Sequence, residues 1–272
     1  MTHSFYWADH STADFASRDL SETVVILPIA AVEQHGPHLP VQVDAAINAA
    51  ILDRMVPLLD ANADVLILPA ISIGKSDEHL AYPGTLTISA QTLRLVWLDI
   101  AKSVERAGVR KMILFNSHGG QISLMEMTCR DIRVELDMLA VACSWFRITP
   151  VDDLFSSAEI VHGIHGGDIE TSMMLAIAPD LVAMDKAEDF VPLTVDIEKC
   201  GSPLTAEGAV GFGWQAQDLH PAGVSGDAAN ADAVKGAQLL DRAATGLVRL
   251  IEATRNFDMK RLTSETRFSA MR

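Results

Sequence analysis

Short, unbroken apolar runs alternate along this chain with segments of helical spacing, and this alternation restricts the fold more than any other feature. Residues 24–29, 65–69, 111–116 and 139–145 each read as a strand. Helical patterns occupy 44–55, 90–106, 120–136, 168–178 and 231–255. Pro57 and Pro179 stop two of these helices, and Ser89 and Gly108 stand as N-cap and terminator of a third. Continuously apolar strands separated by helices imply an α/β fold with a mostly parallel sheet, covered on both faces. With 272 residues, 49% of them hydrophobic, the chain can bury a sizeable core. No internal repeat or low-complexity linker interrupts it, so 1–272 is expected to form a single domain. Residues 187–222, irregular and rich in Gly and Pro, are expected to form a long functional loop.

The formal net charge of -15 argues against nucleic acid or an anionic membrane surface as the main partner, since both are polyanions. Cys129, Cys143 and Cys200 are sparse and odd in number, so neither a disulfide framework nor a Cys-x-x-Cys zinc motif is expected. The first residues lack a basic segment and an apolar segment, and no apolar run reaches membrane-spanning length. A reducing, cytoplasmic setting and a small-molecule substrate are the expectation.

In open α/β sheets ligands bind beyond the carboxyl ends of the strands, and the polar clusters of this chain fall there. Glu33-Gln34-His35-Gly36-Pro37-His38-Leu39-Pro40 follows the first strand, and Asp44 opens the next helix. Residues two apart in extended chain share a side, so Glu33 and His35 can face one ion. His38 is a candidate substrate contact. The third strand runs into Asn116-Ser117-His118-Gly119-Gly120-Gln121, which supplies another imidazole beside two glycines. His165-Gly166-Gly167-Asp168-Ile169-Glu170 leads into an apolar helix, with Glu170 as a candidate ligand and His165 as a candidate proton-transfer group. Helix-dipole placement alone would also explain Asp168 and Glu170. Ser76, Glu78 and His79, after the second strand, belong to the same rim as substrate-side candidates, with Gly119 and Gly120. Trp145 reads as core. Trp214 reads as a pocket wall or a subunit contact.

Glu33, His35, Asp44, His118 and Glu170 make a hard, oxygen-rich set with some nitrogen, which suits zinc or manganese and disfavours copper or iron–sulfur. Five donors exceed the needs of one catalytic zinc but suit two ions about 3.5–4 Å apart, bridged by a carboxylate, for which Asp44 is the choice. Such a pair can hold a hydroxide and polarise a carbonyl, with His165 as the candidate proton-transfer group.

Together these clusters, with Glu78-His79 to Pro83-Gly84-Thr85 and Gly223-Val224-Ser225-Gly226-Asp227, resemble the creatininase family of metal-dependent amidohydrolases across most of the chain, in the right order. The resemblance implies a three-layer α/β/α sandwich and a binuclear site of zinc, manganese or both, with iron as an alternative. It also implies hydrolysis of a non-peptide C–N bond, often in a cyclic amide or formamide, and a homohexamer. Glu33, His35, Asp44, His118 and Glu170 fall on its ligand positions and His165 on its catalytic histidine. Creatinine-cleaving members carry an aromatic and an acid where Gly119 and Gly120 stand. The Gly-Gly form is more similar to relatives that deformylate formamidopyrimidines or trim modified peptides. A ring-opening carbon–carbon hydrolase and a metal-stabilised binding protein without turnover are the competing expectations.

Overall fold

The four apolar runs lie side by side as parallel strands. The structure, a computed structural model, describes residues 4–208 and 210–269. Strands β1 (Val24–Ile29), β2 (Val65–Ile67), β3 (Lys111–Asn116) and β4 (Leu139–Ser144) form a sheet of order β2-β1-β3-β4. Every pairing in it is parallel. A separate antiparallel pair joins β5 (Asp189–Phe190) to β6 (Gly226–Asp227). The helices are α1 (Thr12–Ser17), α2 (Val43–Met55), α3 (Ala90–Arg106), α4 (Ile122–Leu136), α5 (Ser157–His162), α6 (Asp168–Ile177), α7 (Leu193–Lys199), α8 (Ala216–Leu219) and α9 (Ala233–Arg255).

Alternate side chains of the same strands feed two different cores, which makes the fold three-layered. Val24, Ile26, Ile113 and Phe115 pack with Ile47 and Ile51 of α2, Met173 and Met174 of α6, and Leu239, Leu240 and Leu247 of α9. Val25, Leu27, Met112 and Leu114 point the other way, onto Leu93 and Trp97 of α3 and Met125 and Ile132 of α4. A strand buried on both faces has to be apolar at every position, which is why these runs do not alternate. The exception proves instructive: Lys111, 1% exposed at the start of β3, gives its ammonium to Glu22 (2.7 Å) and to the Arg255 carbonyl at the end of α9 (2.6 Å).

Helices α6 and α9 approach closely because α9 carries Gly236 at the crossing. A Cβ there would stand 1.9 Å from the Ser172 carbonyl oxygen, so no larger residue fits without separating the helices. The expected α/β architecture is present, with local differences. The second strand ends at Ile67 because Pro69 has no N–H for the ladder, and pairing resumes where Ile71 donates to the Pro28 carbonyl (2.9 Å). Helix α9 begins at Ala233 because the Asp232 carboxylate caps it, accepting from Val234 and Lys235. The expected loop at 187–222 contains β5, α7 and α8, and α5, capped by Ser156, lies outside every predicted element.

The chain leaves β1 to form β2 on one side and β3 on the other. A crevice therefore opens between β1 and β3 at their carboxyl ends, the switch point where ligands bind in such sheets. Ile29 is paired with Asn116, so both strands end at the same level.

Candidate metal centre

Four stretches of chain converge on this crevice. Glu33 and His35 leave β1, His118 leaves β3, and Asp44 sits in the first turn of α2; all are almost wholly buried. Glu170 arrives on the first turn of α6, its side chain 18% exposed. All the sequence-derived donors therefore meet.

The two carboxylate oxygens of Asp44 face different partners. Oδ1 is 3.5 Å from His35 Nε2, which also lies 3.7 Å from Glu170 Oε2. Oδ2 is 3.3 Å from His118 Nδ1, which lies 3.1 Å from Glu33 Oε1. Two half-sites result, with Asp44 common to both.

Backbone carbonyls set the tautomers. His35 donates from Nδ1 to the Glu33 carbonyl (3.0 Å), leaving Nε2 directed at Asp44 and Glu170. His118 donates from Nε2 to the Lys75 carbonyl (2.8 Å), leaving Nδ1 directed at Glu33 and Asp44. Each ring thus offers one bare nitrogen to a pair of carboxylates. Burial opposes charge on His35, but Asp44 and Glu170 overcome it and hold the ring well above the ordinary histidine value. Glu33, Asp44 and Glu78 do the same for His118 against its burial. Burial would raise Asp44, yet His118 and His35 bring it well below the usual carboxylate range. The cluster demands positive charge.

A pair of divalent cations meets that demand. His35 Nε2, Asp44 Oδ2 and Glu33 Oε2 are buried without a hydrogen-bond partner, a costly state unless a cation takes them. Two donors each about 2.0–2.2 Å from a shared ion stand roughly 3–3.5 Å apart, close to the separations seen here. Donor atoms within 4.8 Å of one another form overlapping groups, among them Glu33–His35–Asp44, His35–His165–Glu170, Glu33–Glu78–His118 and Glu33–His79–His165.

The remaining groups divide by hydrogen bonding. His165 donates from Nε2 to the Gln34 carbonyl (2.6 Å), so its unprotonated Nδ1 faces Glu33 at 3.7 Å. Burial, helped by His35, lowers His165 below the ordinary histidine value. His79 accepts at Nδ1 from the Gln34 amide (2.8 Å), so its Nε2–H faces Glu33 Oε1 at 3.4 Å. That makes it a donor to Glu33 rather than a ligand. Burial, and after it the neighbouring His165, His35 and His118 rings and Lys75, lower its pKa. The rings of His35, His165 and His79 lie in series, with centroids 4.1 and 4.3 Å apart and the planes tilted by 35° and 31°. Glu78 Oε1 lies 3.3 Å from His118 Nε2, behind the face that His118 turns to Glu33. Gly120 makes this possible: a Cβ there would stand 1.5 Å from Glu78 Oε1.

Two expected substrate contacts are corrected. His38 does not line the cleft; it is buried, with Nε2 within hydrogen-bond distance of the Gly166 carbonyl (3.1 Å) and the Thr171 hydroxyl (2.9 Å), and it braces the loop that carries His165. Ser76 is likewise sealed off, its hydroxyl 3.5 Å from His118 Nε2. Glu78, His79, Gly119 and Gly120 do line the cleft, which measures about 650 Å³. Its other wall is apolar, with Trp145, Phe146, Phe212 and Trp214. Trp145 is both core and wall.

Other residues brace the donors, and among them Glu159 carried no signal in the sequence. Glu159, 4% exposed, accepts from Ile169 N (3.3 Å) and Asp227 N (3.0 Å), tying the start of α6 to β6. Ser117 donates to the Asp44 carbonyl (2.7 Å) and Asn116 to the His118 carbonyl (2.6 Å). Asp168 is engaged elsewhere, held by Lys235, Ser172 and Asn230.

Comparison with known proteins agrees with this geometry. A family model described as creatininase, creatinine amidohydrolase, matches residues 8–251. The mycofactocin precursor peptide peptidase of Mycolicibacterium smegmatis (strain ATCC 700084 / mc(2)155) is 33% identical over 175 residues, covering 62% of this chain and 65% of that protein, just under two thirds of its length. The creatinine amidohydrolase of Pseudomonas putida is 29% identical over 214 residues, covering 71% of this chain and 80% of that one. A solved creatininase in its manganese form superposes with a TM-score of 0.72 at 23% identity, covering 94% of this chain and 100% of that one. A Zn–Zn form of a creatininase variant matches with the same TM-score. The fold is shared.

Proposed function

The chain belongs to the creatininase family and is a hydrolase, and from that premise we propose that it cleaves an amide-type C–N bond at two divalent ions held by Glu33, His35, Asp44, His118 and Glu170. The observation that carries this reading is the division of Asp44, one oxygen toward the His35–Glu170 side and the other toward the His118–Glu33 side. Bound there, zinc or manganese would supply a nucleophile at neutral pH and polarise the carbonyl under attack.

The protein's own groups would do the rest. His118 is locked by the Lys75 carbonyl and backed by Glu78, and His35 by the Glu33 carbonyl, so both rings are oriented before any ligand arrives. His165 holds an unprotonated Nδ1 at the cleft surface, where it can accept a proton and return it to the leaving nitrogen. His79 keeps Glu33 in place.

Cleft size favours a second, narrower reading. Clefts of roughly 300–1,000 Å³ hold drug-sized ligands, and at about 650 Å³ this one would be left mostly empty by a single small lactam ring. An amide of short-peptide size with an apolar portion fits better, in line with the resemblance to a precursor-peptide peptidase. The test is to strip divalent ions with a chelator, then add back zinc or manganese and assay short peptides, N-formyl amines and substituted lactams. Two bound equivalents per chain and metal-restored hydrolysis are expected. Full turnover by metal-free protein would defeat the proposal, and bound metal without hydrolysis would point to a binding protein instead.

A further inference from the structure

The charge around the cleft is one-sided. Its described lining contains no lysine or arginine, and its carboxylates are Glu33, Asp44, Glu78, Glu170 and Glu207. The donor cluster accounts for Glu33, Asp44 and Glu170, and Glu78 faces His118 and Lys75. Glu207 stands apart. It lines the cleft beside Gly119, where a Cβ would lie 3.6 Å from its Oε1. Its carboxylate has no hydrogen bond or ion pair among the described residues. The loop presenting it is nonetheless held in place: Trp214 Nε1 donates to the Ala206 carbonyl (2.9 Å), the Thr205 hydroxyl donates to the Glu207 carbonyl, and Phe212 N donates to the Thr205 carbonyl (3.1 Å). Glu207 is exposed at the cleft rather than buried in the core, and partial desolvation there raises its carboxyl, with Arg147 opposing and Glu170 adding to the effect. An unpaired carboxylate on a cleft whose described lining has no lysine or arginine is matched by a cation brought in by the ligand. Phe212 and Trp214 line the same space.

We propose that Glu207 selects substrates bearing a protonated amine, joined to the scissile amide by an apolar spacer that runs along the aromatic wall. This deepens the hydrolase reading and rests on it: the amide end would meet the donor cluster, and the ammonium end would meet Glu207. Hydrocarbon between the two would lie on Trp145 and Trp214.

The experiment uses hydroxamates, which bind divalent ions directly, as probes on the zinc-loaded protein. A homologous series of ω-aminoalkyl hydroxamates is compared by calorimetry with the alkyl hydroxamates of equal length. At one best chain length the amine should improve affinity by about tenfold, and in Glu207→Gln that ratio should fall to about one. No amine preference in the wild type, or an undiminished preference in Glu207→Gln, overturns the role of Glu207 and leaves the metal reading intact. Failure of either series to bind overturns the metal reading, and the inference with it.

Discussion

Substituting Lys235 by Met should destabilise the protein far more than an ordinary change near the surface. The Lys235 ammonium contacts both oxygens of Asp168 at 2.7 and 2.6 Å and the Asn230 carbonyl at 3.0 Å. Asp168 is almost fully buried, with a side-chain exposure of 2%, whereas Lys235 retains 21%. Removing one partner of a buried ion pair costs about 3–5 kcal/mol. Ser172 and Asn230 still donate to Asp168 after the change, and water can follow the partly exposed lysine stem, so the low end, about 3 kcal/mol, applies. For a protein of this size that is a fall of about 6–12 °C in Tm. The reverse single change, Asp168→Asn, leaves an ammonium that can turn to water and should cost less, about 1–2 kcal/mol. The double variant should cost less than the sum, with a coupling of about 1–3 kcal/mol. Denaturant titration of the four proteins gives each term. Because the pair ties α9 to the first turn of α6, which carries Glu170, Lys235→Met should also weaken zinc binding. A Tm loss under about 2 °C for Lys235→Met, or strict additivity, would refute the claim that this pair holds α6 in place.

The donor cluster yields further predictions. Chelation should lower Tm, since ions present at about 100-fold over their Kd contribute about 2.7 kcal/mol each; an unchanged Tm by calorimetry contradicts the metal assignment. Glu33→Ala and His118→Ala should abolish stoichiometric metal, measured by elemental analysis, while circular dichroism stays native-like. His165→Ala should keep its metal but lose about 10²–10⁴ in kcat, so loss of metal in that variant would make His165 a ligand. Gly120→Ala would place a Cβ 1.5 Å from Glu78 Oε1 and 2.7 Å from His118 Nε2. The displaced support for His118 should weaken metal affinity about 10–100-fold, and unchanged affinity by competition titration would show that Glu78 is idle.

What the sequence determined by itself was whatever depends on local pattern. Doubly buried strands must be apolar throughout, so β1 and β3 were legible to the residue, as was the Ser89 cap of α3. The meeting of Glu33, His35, Asp44, His118 and Glu170 was legible because each stands next to a strand end or helix start, where a parallel sheet gathers polar groups. Tertiary structure decided the roles that depend on distance through space. Thr171, 133 residues away, made His38 a brace rather than a substrate contact. Lys235, 67 residues away, neutralised Asp168 and withdrew it from the site. The Gln34 amide turned the His79 ring so that it donates to Glu33. Glu207 carried no pattern at all, because only the fold brings this isolated glutamate of a glycine-rich loop to the cleft beside Gly119. A side chain's type and spacing set what chemistry it can do. Its partners, and therefore its charge state, tautomer and access to a ligand, are set by which remote segments the folded chain brings to within a few ångströms of it.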